Sequence, residues 1–330
     1  MTIVYVSDDN YAYLLGISLT SLYENNKEEI DLNVLIIDDG ISQKSKGNIN
    51  NTAKRYGREV KFFTPDVSIL MNKMGRWPKN IFYRIFFASI FGNEFKESRI
   101  LYLDCDTIVA DSIRQLWNTD MEGKACAAVY ECMGKKHKMK CCLSDDYPYF
   151  NSGVLLIDTK KWKELDVEGK VQKLLDLNSE TRMEYPDEGI INYLLKDNIK
   201  SLKPRYNLTT IKCVFSYKEL KMYRKSKFMY SEEEYSEAKD RPCIIHYTNN
   251  FLVRRPWIGG IRNEHPFANY FKRYMDKSEW KNIEMPEEHI GIAKKVVRKM
   301  YAINGMFCVI VTGFIYSYIK PMKYDKLIAK

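Results

Sequence analysis

The sequence predicts an α/β fold with a mostly parallel central sheet. Short apolar runs recur at strand length, helix-like stretches lie between them, and acidic residues collect where the runs end. The first run, TIVYV (2–6), reads as a buried strand. Polar Ser7-Asp8-Asp9-Asn10 follows, then an apolar-periodic helix from about Tyr11 to Tyr23. DLNVLIID (31–38) is a second strand. The polar stretch 42–57 reads as a helix, capped by Ser42 and stopped by Gly57. EVKFF (59–63) is a third strand, PKNIFYRIFFASIF (78–91) one strongly apolar helix containing Arg84, and RILYLD (99–104) a fourth strand. Strands alternating with helices in this way form parallel sheets covered on both faces, and ligands bind at the carboxyl ends of such strands.

The later elements are less regular. KACAAVY (124–130) reads as a strand, 131–148 as a polar, turn-rich and mobile loop, and YFNSGVLLID (149–158) as a turn into a strand. In EYPDEGIINYLLK (184–196), Pro186 opens a helix. Residues 216–241 are crowded with charge and tyrosine and show no clear period. PCIIHYTNN (242–250) is a strand ending at His246. No repeat or long linker divides the chain, so one domain is expected over 1–285, with a tail over 286–330.

The 330 residues, 45% hydrophobic and 29% charged, suffice for a large core. The net charge of +9 is uneven: from His289 onward eight Lys/Arg face only Asp325, which leaves the body near neutral. That argues against a nucleic-acid-binding body and for a tail that meets an anionic surface. The start MTIVYVSDDN lacks the basic region of a signal peptide and carries early acids, so a cytoplasmic protein is expected. The eight cysteines show no CxxC spacing and fit reduced thiols; Cys126, Cys132, Cys141 and Cys142, with His137, leave a zinc site as an alternative.

The chemistry concentrates at LDCD. Asp104 and Asp106, two residues apart at a strand end, can both face a cation with Cys105 turned away. A hard divalent ion takes few protein oxygens and completes its shell with substrate phosphate. The other reading of the pair is a turn with solvated acids. His246 also ends a buried strand, and it leads into basic Arg254-Arg255-Pro256-Trp257.

SDDNY (7–11), YRIFF (83–87), ILYLDCDTIV (100–109), LWNTD (116–120), FNSGVLLID (150–158), YPDEGIIN (185–192) and IIHYTNNFLVRRPW (244–257) stand in one order along the chain. In these stretches and that order the chain resembles glycosyltransferase family 8, the glycogenin-like retaining transferases that include bacterial lipopolysaccharide galactosyl- and glucosyltransferases. The resemblance implies a GT-A fold, with a single Rossmann-like domain for a nucleotide sugar. It implies transfer of a hexose, with retention, from UDP-glucose or UDP-galactose to a saccharide or lipid-linked acceptor in cell-surface polysaccharide synthesis. Asp104, Asp106 and His246 would bind Mn²⁺ or Mg²⁺ bridging the two phosphates. Asp8 and Asn10 would hold the uridine and its ribose, with Asp9 alongside; Cys105 lies between the two acids. Arg84 would contact the donor sugar or phosphates, and Asn151 and Gly153 would line the sugar pocket. Asp187 would grip sugar hydroxyls. Asn249 and Arg255, or Arg254 in its place, would meet phosphate.

Two departures from the family pattern stand out. Asp187-Glu188-Gly189 replaces an acid-Gln-Asp run, so Glu188 puts a carboxylate where an amide is usual. It could stabilise an oxocarbenium ion, act as a nucleophile, or simply favour a helix amino terminus. Asn249 and Asn250 stand where the family often has a glycine after His-Tyr, on a longer path to Pro-Trp. The acceptor is expected to be chosen by 131–148 and 212–241, where the family's stretches are absent.

The tail holds about 20 mostly apolar residues (300–319) between basic flanks, enough to just span a bilayer. Asn304, Gly305 and Gly313 favour a segment lying in the interface over a spanning one, with a helix packed on the domain as the other reading. Two function classes compete with transfer. A sugar-1-phosphate nucleotidyltransferase would show a Gly-rich basic loop after the first strand, where SDDNYAYLLG stands. A non-catalytic carbohydrate-binding protein would not need the assembled metal and UDP residues.

Overall fold

The computed structural model describes residues 1–66, 80–92, 95–177, 184–260 and 264–327. The main sheet has seven strands: β1 (Thr2–Ser7), β2 (Asn33–Asp38), β3 (Val60–Phe63), β4 (Arg99–Leu103), β6 (Cys126–Ala128), β7 (Val154–Asp158) and β8 (Ile199–Ser201). Their order is β3-β2-β1-β4-β7-β6-β8. Only β7 runs against its neighbours; the remaining pairs are parallel. β5 (Thr107–Val109), β9 (Leu208–Thr209) and β10 (Ile244–His246) form a small second sheet, with β10 in the middle.

Alternation along each strand builds two cores. Ile3, Tyr5, Leu101 and Leu103 face one side with the Ala12–Glu24 helix, whose Leu15, Leu19 and Leu22 are fully buried. Val4, Ile100 and Tyr102 face the other side, against Phe82, Phe87 and Trp162. Burying each such side chain contributes about 1.5–3 kcal/mol, which fixes the register of the central strands.

Two pairings carry the site. β7 is antiparallel to β4 with Leu103 opposite Val154, so the residues entering β7 stand beside those leaving β4. The Asp104 N–H donates to Gly153 O at 2.9 Å. β10 is antiparallel to β5 with His246 opposite Thr107, which carries His246 to the Asp104–Asp106 turn.

Several sequence expectations change. The helix expected over 78–91 is two short ones, Asn80–Tyr83 and Phe87–Phe91, interrupted at Arg84; residues 78 and 79 lie outside the described part. The interruption frees Arg84 to reach three acceptor groups described below. The loop expected at 131–148 contains a helix, Lys135–Lys140, whose His137 and Lys138 are buried. Lys138 Nζ donates to the carbonyls of Asp145 and Tyr147, which ties that loop shut. Residues 216–241 hold two helices, Tyr217–Arg224 and Glu232–Asp240, each opened by a reciprocal capping box, Ser216/Glu219 and Ser231/Glu234.

The tail forms helices Ile292–Ile303 and Gly305–Phe314, broken at Asn304, whose side chain accepts from Phe307 N at 3.0 Å. Cys308, Val309, Tyr316 and Ser317 are buried. Gly313 is packed so closely on the Tyr217–Arg224 helix that a Cβ there would lie 3.0 Å from Tyr223 Cα. Gly305–Lys323 is long and apolar enough to cross a membrane, and 33% of its most apolar window is buried inside the protein. Phe307 and Phe314 on its outer face are 55% and 53% exposed.

Candidate active site

The carboxyl end of β4 and the start of β7 open onto a cavity of about 980 Å³. Asp104, Asp106 and His246 converge on its floor. His246 Nε2 lies 3.1 Å from Asp106 Oδ1 and 3.7 Å from Asp104 Oδ2. Among the described residues this is the grouping in which three ligand-type side chains offer atoms all within 4.8 Å of one another. Two carboxylates and one imidazole form a donor set suited to Mn²⁺ or Mg²⁺, so the residues fit the ion the sequence implies.

The zinc alternative fails on the same test. His137 has both nitrogens occupied, Nδ1 by Glu184 at 2.6 Å and Nε2 by the Tyr316 carbonyl at 2.8 Å, and the cysteines do not converge with it.

His246 is aimed by a chain of buried amides. Asn207 donates its amide N–H to Asn151 Oδ1 at 2.7 Å, so its own Oδ1 is the acceptor that faces His246 Nδ1 at 3.0 Å. The proton then sits on Nδ1, and the neutral ring turns its Nε2 lone pair toward the two aspartates. Asn151 Oδ1 also accepts from Gly153 N, and Asn151 Nδ2 donates to Glu188 Oε2 at 3.0 Å. Gly153 keeps the floor clear. A Cβ there would collide with His246 Cε1 and lie 2.7 Å from Asp104 Oδ2.

Arg84 neutralises the acids beside the floor. Its Nη2 pairs with Asp104 Oδ1 at 3.0 Å, its Nε lies 3.4 Å from Asp187 Oδ2, and its Nη1 donates to the Ser152 carbonyl at 3.1 Å. Tyr102 donates to Asp104 Oδ1 at 2.6 Å and lies under the guanidinium. Burial works to lower His246, but the facing aspartates raise it. When the ring carries a proton on Nε2 as well, its charge outweighs burial at Asp106 and holds that carboxyl below the usual range; the neutral ring is the form that would ligate an ion. Asp187 and Glu188 are raised instead. Burial dominates both; Asp104 adds to it at Asp187, and Glu131 and Asp187 add to it at Glu188.

The structure brings together most residues singled out from the sequence. Arg84, Asp104, Asp106, Asn151, Gly153, Asp187, Glu188, His246, Asn249 and Arg255 all line the cavity. Arg255 lies over the Trp257 ring and its buried Nε has no hydrogen-bond partner. Arg254 is spent elsewhere, donating to the carbonyls of Ile258 and Gly260, so Arg255 is the one at the site. Asp8, Asp9, Asn10 and Cys105 are not among the lining residues. Asp8 accepts from Tyr11 N, Asp9 accepts from Ser42 N at 3.0 Å, and Asn10 is exposed. The Cys105 thiol turns back to the Val6 carbonyl. Sequence reasoning missed Asn207, Ser152, Glu131 and Tyr316. A buried asparagine before a two-residue strand carries no local signal, and the others gain meaning only through contacts remote in sequence.

Comparison with known proteins gives the family and the fold. The sequence model described as "Glycosyl transferase family 8" matches residues 2–258. General stress protein A of Bacillus subtilis is 28% identical, over 87% of this chain and 96% of its own length. A lipopolysaccharide 1,2-glucosyltransferase of Escherichia coli is 27% identical, over 92% of this chain and 87% of its own length. Among solved structures, an active-site mutant of LgtC superposes with a TM-score of 0.69 at 22% identity, over 84% of this chain and 96% of that one. The galactosyltransferase LgtC in complex with donor and acceptor sugar analogues gives 0.63 at 21% identity, over 90% and 99%. The fold is GT-A, and with the family match spanning most of its length the chain belongs to glycosyltransferase family 8.

Proposed function

We propose that this protein transfers a hexose, glucose or galactose, from a UDP-sugar to a saccharide or lipid-linked acceptor in cell-surface polysaccharide synthesis, with retention at the anomeric carbon. The observation that carries this is the convergence of Asp104, Asp106, His246, Arg84 and Arg255 on one cavity. UDP is the leaving group, and its phosphate oxygens gain negative charge as the glycosidic bond stretches. A divalent ion held by Asp104, Asp106 and His246 would supply fixed positive charge to those oxygens.

The chain's own residues do the rest. Arg255 holds an unpaired guanidinium N–H in the cavity wall, where phosphate completes its hydrogen bonding, and Asn249 lies nearby on the same wall. Asp8 and Asn10, at the carboxyl end of β1, hold the uridine, while the Asp9 carboxylate positions their turn through Ser42. The backbone at Cys105 completes that side. Asn151 and Gly153 shape the sugar pocket, and Arg84 holds Asp187 at the angle needed to accept from sugar hydroxyls. Glu188 is held by Asn151 Nδ2 and Ser152 N, which makes its carboxylate a positioner of the β7 approach. The acceptor hydroxyl attacks the face from which UDP departs.

The exposed apolar face of the tail and its basic flanks fit a peripheral position on the anionic cytoplasmic leaflet. The transfer reading is tested by incubating the protein with a panel of UDP-sugars, with and without Mn²⁺, and scoring UDP release. Metal-dependent release from UDP-glucose or UDP-galactose supports it; no release from any donor refutes it.

A further inference from the structure

The cavity does not end at the metal floor. It continues to a second wall built by Glu131, Tyr185, Tyr223 and Arg224 of the body and Tyr316 and Lys320 of the tail. Tyr316 lies beyond residue 258, where the family match ends. Its ring is held between His137 and Tyr223, with centroids 4.4 Å and 4.8 Å away, and the Arg224 guanidinium lies 4.9 Å over it. The Tyr316 hydroxyl accepts from Arg224 Nη1 and donates to Met133 Sδ. Arg224 in turn donates through Nη2 to Glu131 Oε1.

Glu131 is the end of this relay and the part that is incomplete. It is only 9% exposed, it lines the cavity, and its second oxygen, Oε2, has no hydrogen-bond partner. A buried carboxylate oxygen left unpaired is costly, and a hydroxyl entering the cavity would satisfy it. The exposed ring of Tyr185 on the same wall suits the apolar face of a sugar ring. A charged acceptor oxygen, the Tyr185 face and a guanidinium together describe a site for a polyhydroxylated ring.

Resting on the transferase reading above, we propose that Tyr316 of the carboxy-terminal segment is a positioning residue for the acceptor saccharide, acting through Arg224 to hold Glu131 open to an acceptor hydroxyl. The tail is then one wall of the acceptor subsite as well as a surface element. The Tyr316 hydroxyl is committed to Arg224 and Met133, so it acts through Arg224 rather than on donor or ion. Its loss acts on acceptor binding and leaves the donor side alone.

The test uses the full chain with Mn²⁺ and UDP-glucose or UDP-galactose. Methyl glycosides of glucose, galactose, lactose and N-acetylglucosamine serve as acceptors, with products read by mass spectrometry. Tyr316→Phe keeps the stacked ring and removes only the hydroxyl. It is expected to raise the acceptor KM about 10-fold or more, as for a lost hydrogen bond to a charged group. UDP-sugar hydrolysis without acceptor should stay within about twofold of the parent. Glu131→Gln reads the same step from the far end and should raise the acceptor KM likewise. Transfer by both variants at the parent's acceptor KM overturns the proposal, as does an equal fall in hydrolysis and transfer. A parent that hydrolyses the donor but glycosylates none of the four acceptors also overturns it. A parent that hydrolyses no donor refutes the transferase reading itself.

Discussion

Asn207 acts one hydrogen bond away from the proposed ion site. Because its amide N–H is spent on Asn151, its carbonyl fixes the His246 tautomer. Asn207→Ala should therefore weaken Mn²⁺ binding about 10- to 100-fold while the protein still unfolds cooperatively, as isothermal titration and a melting curve would show. Glu188 has a second residue-scale consequence. Burial, with Glu131 and Asp187 adding to it, raises its carboxyl well above 4.5 in the folded state. A raised folded value means that the native state binds the proton more tightly, so Glu188 costs stability as pH rises from about 4.5. Glu188→Gln keeps an oxygen for Asn151 and Ser152 and carries no charge. It should be more stable than the parent at pH 8, with the difference closing toward pH 4, in denaturation series at both pH values. A constant difference would show that Glu188 does not titrate in this range.

At the scale of elements, legibility followed how local the signal was. β1, β2 and β4 were plain because both faces are buried and their sequences read as unbroken apolar runs. Asp104 and Asp106 were plain because they end such a run. The helix over 78–91 was read as one because all its apolar residues fit a single period; it is interrupted at Arg84, whose contacts with Asp104, Ser152 and Asp187 are remote in sequence. The helices of 216–241 were hidden by dense charge, though Ser-x-x-Glu at 216–219 and 231–234 was there to be read. Those caps satisfy backbone groups at both ends of one turn. Ser231→Ala should lower stability by about 1 kcal/mol, measurable by chemical denaturation, with no effect on UDP release. The antiparallel run of β7, which sets Gly153 against Asp104, has no signature in the strand itself.

For the whole molecule, the tail and the cavity are one construction. The inner face of the tail packs on the Tyr217–Arg224 helix, and its outer face shows Phe307 and Phe314. Replacing both phenylalanines by serine should cut binding to anionic vesicles in a sedimentation assay, without lowering the melting temperature, because neither supports the packed face. Unchanged binding would remove the tail's outer face from the membrane account. The two roles proposed for the tail were half visible in the sequence: its apolar run and basic flanks are local, whereas the reach of Tyr316 to Arg224 is not.

The proposed transfer depends on UDP being held at the Asp104–Asp106–His246 floor. The most direct measurement is UDP binding by isothermal titration, with and without Mn²⁺, for the parent and for Asp104→Asn. The parent should bind UDP at least about 10-fold more tightly when Mn²⁺ is present, and Asp104→Asn should lose that gain while keeping its fold. Equal UDP affinity with and without the ion in the parent, or an undiminished gain in Asp104→Asn, would contradict the account.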